Sequence, residues 1–179
     1  MSGVKNVLSN KKALIIGGIV LVVVGILVTV FIVNQQNSSN GTNKKSNESP
    51  SYSTVLPNGK SIEVLGGWER ISPDGTEPVF AFADTIDGVS ISVSQQPLPE
   101  AFKNDVENKV TELAKKFNAT KTLDADGTKV FIGTSAKGPQ SVIFTREGLL
   151  ILIKSQGKIK DAAWESYIQS LITPLNASF

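Results

Sequence analysis

The sequence contains no cysteine and no histidine among its 179 residues. The absence of cysteine excludes disulfides, thiol nucleophiles, iron–sulfur clusters and cysteine-based zinc sites. The absence of histidine excludes a Ser-His-Asp triad, an imidazole general base and the usual transition-metal sites. We therefore predict no catalytic residues, no metal and no cofactor, because only carboxylates, lysines and hydroxyl groups remain for any chemistry.

Charge is also sparse, and its distribution along the chain is uneven. Residues 1–56 hold five lysines and one glutamate, whereas residues 57–179 hold 13 basic and 15 acidic side chains. The sequence pI of about 8.8 therefore reflects the N-terminal flank, and the rest of the chain is mildly acidic. Proteins that bind nucleic acid normally present a basic patch or stripe, so nucleic acid is not an expected partner.

One long hydrophobic run is present, at residues 13–33. It contains no charge, and Thr29 is its only polar side chain. As a helix it spans roughly 30 Å, the thickness of the hydrocarbon core of a bilayer. A buried core helix of this length would show a polar face, and no small-residue cleavage site follows the run. The sequence predicts an uncleaved signal anchor that contacts the lipid bilayer through residues 13–33.

The segments around this run predict the topology. Lys5, Lys11 and Lys12 precede it, and the next charge after it is Lys44. Because lysine-rich flanks stay on the cytoplasmic side, we expect a short cytoplasmic tail at residues 1–12 and an extracytoplasmic C-terminal domain. Residues 34–56 are dominated by polar residues without hydrophobic periodicity, which predicts a disordered Asn/Ser-rich linker. The predicted protein is a single-pass protein of a bacterial cell membrane.

Residues 57–179 show short strand-like runs separated by glycine-containing turn signals. Val and Ile alternate with Ser over residues 89–95, which indicates one buried and one wet face, whereas residues 149–153 are apolar on both faces. Apolar residues recur at helical spacing over residues 99–117 and 160–172. The remaining strands are predicted at residues 61–65, 68–71, 78–85, 120–124, 128–134 and 141–145, and the last predicted strand extends to residue 155.

The order of these elements predicts the fold class. We expect an α+β domain at residues 57–179, with a mostly antiparallel sheet of about six to eight strands flanked by two helices as an α/β/α sandwich. A strand with two apolar faces needs cover on both sides. We therefore expect Trp164 and Leu171 to pack on one face of the sheet, and Phe102, Val110 and Phe117 to pack on the other.

The same pattern resembles a known kind of domain. The run Gly67-Trp68, the hairpin over residues 80–95, the amphipathic helix, the long meander and the helix that bears Trp164 resemble PsbP-like α/β sandwich domains over residues 60–172. They are similar as well to external domains that follow one membrane helix in many bacterial surface and anti-sigma-factor-type proteins. The resemblance implies roles in binding, assembly or regulation, and it implies no catalytic residues.

Few residues are candidates for metal binding, catalysis or partner binding. Residues 124–127 begin like a calcium loop, but Ser135 stands where an EF-hand has its bidentate glutamate, so a hairpin turn is expected. Asp84 and Asp87 could form a carboxylate pair of the kind that glycosidases use, although carboxylates are common in turns. Trp68 follows two glycines, and we interpret it either as a core residue or as an exposed residue that binds a partner.

Three classes of function remain open. The leading hypothesis is a non-enzymatic extracytoplasmic domain that binds a protein or a cell-envelope component, because the anchor and linker are present and catalytic residue types are missing. The alternative is a carrier or sensor of an apolar small molecule, which an apolar cavity of several hundred Å³ would favour. The third is an enzyme that uses only carboxylates or lysine, which buried carboxylates with raised pKa values would indicate.

Overall fold

The computed structural model describes residues 48–174. These residues form an α+β fold with a seven-stranded antiparallel sheet, a separate two-stranded sheet and three helices. The helices are α1 (Glu100–Lys103), α2 (Val106–Lys116) and α3 (Asp161–Ser170). The strands are β1 (Leu56–Pro57), β2 (Glu69–Arg70), β3 (Phe80–Ile86), β4 (Val89–Pro97), β5 (Lys121–Ala125), β6 (Thr128–Thr134), β7 (Gln140–Arg146), β8 (Leu149–Ser155) and β9 (Leu171–Ile172).

The large sheet has the strand order β2-β3-β4-β8-β7-β6-β5, and all neighbouring strands are antiparallel. Asp87 and Gly88 connect β3 to β4 with positive φ at both positions, as a two-residue type I′ turn requires. After β4 the chain passes through α1 and α2 to the far edge at β5, and then returns by a meander. As a result, β4 and β8 pair at the interior of the sheet although they are distant in sequence.

The two faces of the sheet carry two separate hydrophobic cores. The core of the first face includes Phe82 and Ile151 of the sheet together with Trp164 and Leu171. The core of the second face includes Leu150 and Leu152 of β8 together with Phe102 and Val110, and Phe117 packs against it. Alternate residues of β8 therefore enter different cores, and the expected division of Trp164 and Leu171 from Phe102, Val110 and Phe117 between the two faces is confirmed.

Helix α3 lies across the first face. Asp161 at its start pairs with Lys121 of β5, and the Tyr167 hydroxyl donates to Asp84 of β3 at 3.2 Å. At 4.7–4.9 Å per strand, β3 and β5 would lie about 24 Å apart in a flat sheet, whereas a helix of 10 residues is about 15 Å long. Since α3 contacts both strands, the sheet curves around the helix.

Some predicted elements differ from the structure for local reasons. No strand forms at residues 61–65. Residues 62–66 form a turn, and Gly66 and Gly67 have φ values of 88° and 92°, which a strand does not accommodate. The helix predicted over residues 99–117 is divided into α1 and α2, because Asp105 takes an extended φ of −158°. The helix predicted to reach residue 172 ends at Ser170, since the next two residues pair with β1 instead.

The ordered fold includes residues before position 57. Thr54, Val55 and Leu56 are buried, and the ring of Tyr52 packs against Phe80 with ring centroids 6.1 Å apart. The last residues of the segment 34–56, predicted as a linker, therefore belong to the fold.

The predicted membrane segment is not part of the described structure. Residues 1–12 and 13–33 lie outside the described residues. Within residues 48–174, no helix combines the length and the apolar character needed to cross a bilayer.

Candidate functional site on the second face of the sheet

The helices cover only part of the second face. Helix α2 contacts β6 and β7, whereas the second face of β3 and β4 is open to solvent over four small or hydroxyl-bearing residues. Ala83, Thr85 and Ser90 are exposed, and Ser92 is half-buried. Ala83 pairs with Ser92 and Thr85 pairs with Ser90, so the four form a compact patch that we call the serine shelf. Its side chains are short, so the surface is flat and polar.

Lys154 borders the serine shelf. It lies on β8 directly between Ser92 of β4 and Ser141 of β7. Its Nζ donates a hydrogen bond to Ser141 Oγ at 2.6 Å and lies 4.4 Å from the centroid of the Phe117 ring. Burial lowers the pKa of Lys154 to about 8, so the amine is still mostly protonated at pH 7. The aromatic ring and the hydroxyl both favour this charged form.

Lys154 differs from the other lysine that lies over an aromatic ring. Lys129 lies 5.5 Å from the centroid of Phe131 on the same face, and it pairs with Glu107 at 2.8 Å. Among the described residues, Lys154 has no carboxylate within the 4.0 Å that defines an ion pair. A half-buried ammonium with unused donor positions favours an acceptor that carries negative charge. Lys154 is therefore suited to a partner from outside this part of the chain.

A small cavity opens next to Lys154. Its volume is about 10 Å³, which is room for about one water molecule. Phe117 lines the cavity as well as contacting Lys154, and Leu152 is two residues before Lys154 on the same face of β8. This volume is far below the roughly 300–1,000 Å³ of typical sites for drug-sized ligands. The other lining residues are Val79, Ser94, Gln95, Gln96, Leu113 and Leu150.

Trp68 lies on the opposite face from the serine shelf. It is half-buried against the first core, and its ring stands edge-on to Phe82, with ring centroids 5.5 Å apart, and to Phe80, at 6.4 Å. These contacts give Trp68 a structural role in packing β3. Its role in binding a partner stays a prediction.

The carboxylates singled out from the sequence have structural contacts. Asp84 accepts hydrogen bonds from Lys60 at 2.6 Å and from the Tyr167 hydroxyl at 3.2 Å. Burial, reinforced by the charge of Asp84, raises the pKa of Tyr167. Asp87 lies in the β3–β4 turn with φ of 50°. These contacts join β3 to α3 and to the N-terminal segment, which is a structural role.

The sequence 124–127 forms the hairpin turn that was expected. Asp124 Oδ1 accepts the backbone N–H of Gly127 at 2.8 Å, and Asp126 has a positive φ of 56°. Within residues 48–174, no three acidic side chains are grouped in a way that could hold a metal ion.

Reasoning from the sequence missed the row formed by Ser92, Lys154 and Ser141. One signal was present, because Lys154 directly follows a run of five apolar residues on a strand predicted to be buried on both faces. The two serines could not be assigned to it, since only the pairing of β4, β8 and β7 places them beside the lysine.

Comparisons with known proteins give no relative from which a function could be transferred. No protein-family model matches the chain, and no match was found among curated proteins or solved structures. The function is therefore inferred from the geometry of residues 48–174.

Proposed function

We propose that the chain is a single-pass membrane protein whose non-enzymatic extracytoplasmic domain binds a protein or a cell-envelope component. The observation that carries this proposal is the open serine shelf, bordered by Lys154, which has no carboxylate partner among the described residues. In the described structure, the side chains of Ser90 and Ser92 have no hydrogen-bond partner, so their hydroxyl groups are free to bind one. The apolar run at residues 13–33 would hold this surface outside the membrane.

We also propose that the domain is a PsbP-like α/β sandwich. The support is the order of the elements and the distribution of helical side chains over both faces of the sheet. A domain of this kind fits a role in binding or assembly. No residue of the described part is proposed as catalytic.

A carrier or sensor of an apolar small molecule is the second candidate. Its candidate site is the cavity lined by Leu113, Phe117, Leu150 and Leu152. Its volume of about 10 Å³ is room for about one water molecule, whereas a carrier of this kind needs an apolar cavity of several hundred Å³. We therefore place recognition of a larger partner first.

Photocrosslinking in intact cells tests the binding surface. A photoreactive amino acid at Ala83, on the serine shelf, should give a defined crosslinked product. The matched control position is Val64, which is 77% exposed but lies in the turn region before Gly66. Equal capture at both positions, or no product at Ala83, would count against the serine shelf as the binding surface.

Protease accessibility tests the proposed topology. Protease added to intact spheroplasts should cut within residues 34–47, in the predicted linker, and release a soluble fragment that contains residues 48–174. The reason is that Lys5, Lys11 and Lys12 hold the N-terminus on the cytoplasmic side. Complete protection of the domain in spheroplasts, with cleavage only after lysis, would contradict an extracytoplasmic location.

A further inference from the structure

We propose that the end of the sheet at which β3, β6 and β8 finish binds a cell-envelope polymer that carries a phosphate group in each repeat. This inference rests on the proposed function and deepens it, because it names a chemical class of envelope component. Three observations support it: the separation of charge between the two ends of the sheet, the hydroxyl groups beside the lysines, and the place at which the chain enters the fold.

Six lysines without an ion pair lie at this end of the sheet. Of the eleven lysines in the described residues, five form ion pairs and six do not. Five of these six are exposed, and the sixth is half-buried on β8. They belong to the last turn of α2, to β8, and to the loops that precede β7 and α3. We call them the lysine end: Lys115, Lys116, Lys137, Lys154, Lys158 and Lys160.

Contacts between these segments hold the lysine end together. A Cβ atom added to Gly138 would lie 3.7 Å from the backbone nitrogen of Lys158, so the loop that contains Lys137 lies against the loop that precedes α3. Phe117, directly after α2, has its ring centroid 4.4 Å from Lys154 Nζ. Segments that are distant in sequence therefore bring their lysines to one end of the sheet.

Acidic side chains are concentrated at the opposite end, which we call the acidic end. Among the described residues, the carboxylates that lie there without an ion pair occupy the β2–β3 connection, the start of α2, and the turns after β5 and β7. They are Asp74, Glu77, Asp105, Asp124, Asp126 and Glu147. At the lysine end, Asp87 lies in the β3–β4 turn, and Asp161 at the start of α3 is paired with Lys121. The mildly acidic balance of residues 57–179 conceals this separation.

The distribution of these charges favours a polymer over a single small anion. A small anion needs donors that converge on one point, whereas the lysine end spreads its exposed ammonium groups over several segments. Each exposed charge pair contributes little by itself, but a chain with a charge in every repeat can contact several lysines at once. A lysine acts toward phosphate as a point charge, and among the described residues the lysine end includes no arginine for bidentate recognition.

The serine shelf adjoins the lysine end. Lys154 pairs with Ser92 of the shelf across β8 and β4, and Thr85 and Ser90 lie next to the β3–β4 turn at the same end. Hydroxyl groups can donate to phosphate oxygens and can both donate to and accept from the hydroxyl groups of glycerol or a sugar. The lysines and the shelf therefore form one surface that suits a polymer of alternating phosphates and hydroxyl-bearing units.

The place at which the chain enters the fold favours an envelope polymer over the membrane surface. Glu48 pairs with Arg70 of β2, and Tyr52 packs against Phe80, the first residue of β3. This is the acidic end, and the seven residues of β3 separate it from the lysine end by roughly 20 Å. Because the predicted membrane span at residues 13–33 precedes Glu48, we expect the lysine end to face away from the lipid headgroups.

Binding is tested with the full chain in nanodiscs of neutral phosphatidylcholine and with poly(glycerol phosphate) as the probe. Labelling by an amine-reactive reagent, measured by mass spectrometry, should fall at Lys137, Lys158 and Lys160 when the polymer is added, and should not change at Lys103 of the acidic end. Raising the salt concentration from about 50 mM to about 200 mM should weaken binding at least about tenfold, because each phosphate contact releases counterions. Unchanged labelling at the three lysines would overturn the proposal.

Variants of equal net charge assign the binding to one end. The triple variant Lys137→Gln, Lys158→Gln and Lys160→Gln should bind the polymer about tenfold more weakly. These side chains form no hydrogen bond or ion pair within the described residues, so the change removes no stabilising contact of that kind. The control replaces three lysines near the acidic end by glutamine and should keep the wild-type affinity. These are Lys103, Lys109 and Lys129. Equal losses in the two triple variants would overturn the proposal.

Two further probes distinguish the polymer from other anionic partners. If nanodiscs that contain phosphatidylglycerol protect Lys137, Lys158 and Lys160 without any polymer, the lysine end is a membrane-docking surface and the proposal is wrong. Tighter binding of polygalacturonate, a polymer of carboxylates, would overturn the assignment to phosphate. If poly(glycerol phosphate) fails to bind while Ala83 still crosslinks to a partner in cells, this inference is wrong and the proposed function stands.

Discussion

Replacing Gln95 by methionine should lower the free energy of unfolding by about 2–6 kcal/mol. Gln95 lies on β4 and is 0% exposed, as is Val55. Its Nε2 donates to the carbonyl oxygen of Val55 at 2.7 Å, and its Oε1 accepts the backbone N–H of Val55 at 2.9 Å. One side chain thus satisfies both backbone groups of a buried residue, in the way that a neighbouring strand would.

The size of the expected loss follows from the two backbone groups of Val55 that methionine leaves without a partner. Methionine has a similar length and adds no strong donor or acceptor, so both groups of Val55 lose their partner while the volume is kept. A buried backbone group without a partner costs about 1–3 kcal/mol, which gives about 2–6 kcal/mol for the two. Domains of this size are typically stable by about 5–15 kcal/mol, so the loss is a large share of the total.

A second variant, Gln95→Glu, adds a pH signature. Its ionised carboxylate can accept the Val55 N–H but repels the Val55 carbonyl oxygen, whereas the protonated acid restores the missing donor. Burial and this repulsion raise the pKa of the glutamate in the folded state above its unfolded value of about 4.3. Between the two pKa values the folded state binds more protons, so stability falls as pH rises through this window.

Urea denaturation followed by tryptophan fluorescence checks both variants on a fragment of residues 48–174 at pH 4 and pH 7. Gln95→Glu should lie close to the wild type at pH 4 and close to Gln95→Met at pH 7. A loss below about 1 kcal/mol for Gln95→Met would refute the assigned contribution of the two hydrogen bonds. An equal gap between the two variants at both pH values would refute the proposed proton dependence.

Four further expectations test the fold. The fragment 48–174 should be folded and monomeric by ultracentrifugation, whereas a start at Ser53 should lower its stability by removing the contacts of Tyr52 with Phe80 and Gln95. Trp164→Ala should lower the free energy of unfolding, measured by chemical denaturation, by about 3–5 kcal/mol, because the Trp164 side chain is 0% exposed. A loss below about 1 kcal/mol would contradict its place in the core. Gly133→Ala should lower the free energy of unfolding by about 1–3 kcal/mol, since the added Cβ would lie 2.8 Å from the carbonyl oxygen of Phe117. The control, Gly157→Ala, should have little effect, because its Cβ would approach only a Val89 methyl group, at 3.5 Å. Between pH 8 and 10.5, the stability of the wild type should rise relative to that of Lys154→Met. The reason is that the pKa of Lys154 is about 8 in the folded state and 10.5 ordinarily, so the unfolded chain binds more protons in this range. A stability difference that does not change across this range would contradict the burial of Lys154.

Strong periodicity made the main strands and the core predictable from the sequence. The runs 128–134 and 149–155 match β6 and β8 in full, and the alternation over residues 89–95 correctly indicates the buried face of β4. Segments whose structure depends on distant partners were harder to predict. Leu171 and Ile172 continue a helical pattern, but pairing with Leu56 and Pro57 gives them extended backbone. Leu56 and Pro57 lie more than a hundred residues away in the sequence, so local propensity cannot indicate this pairing.

The site was less predictable than the fold. Ser92 was interpreted only as part of the wet face of a strand, and Ser141 only as the first residue of another strand. Their relation to Lys154 depends on strand order and register, because β8 lies between β4 and β7. A local sequence pattern contains neither the strand order nor the register. The buried role of Gln95 was missed for the same reason, since its partner Val55 reaches it from a segment interpreted as linker.

The short β1–β9 ladder determines how the domain responds to mechanical force. Leu56 faces Ile172, so the segments leading to the two chain ends leave the ladder at the same end. Tension that pulls the two ends apart would therefore load the backbone hydrogen bonds one after another, as in a zipper, and not all together in shear. On the N-terminal side, the load reaches the contacts of Tyr52 and Val55 with Gln95 before it reaches the ladder, so the ladder opens only after these contacts are lost. A chain pulled from these two ends is expected to lose its outer segments first, while the seven-stranded sheet still holds.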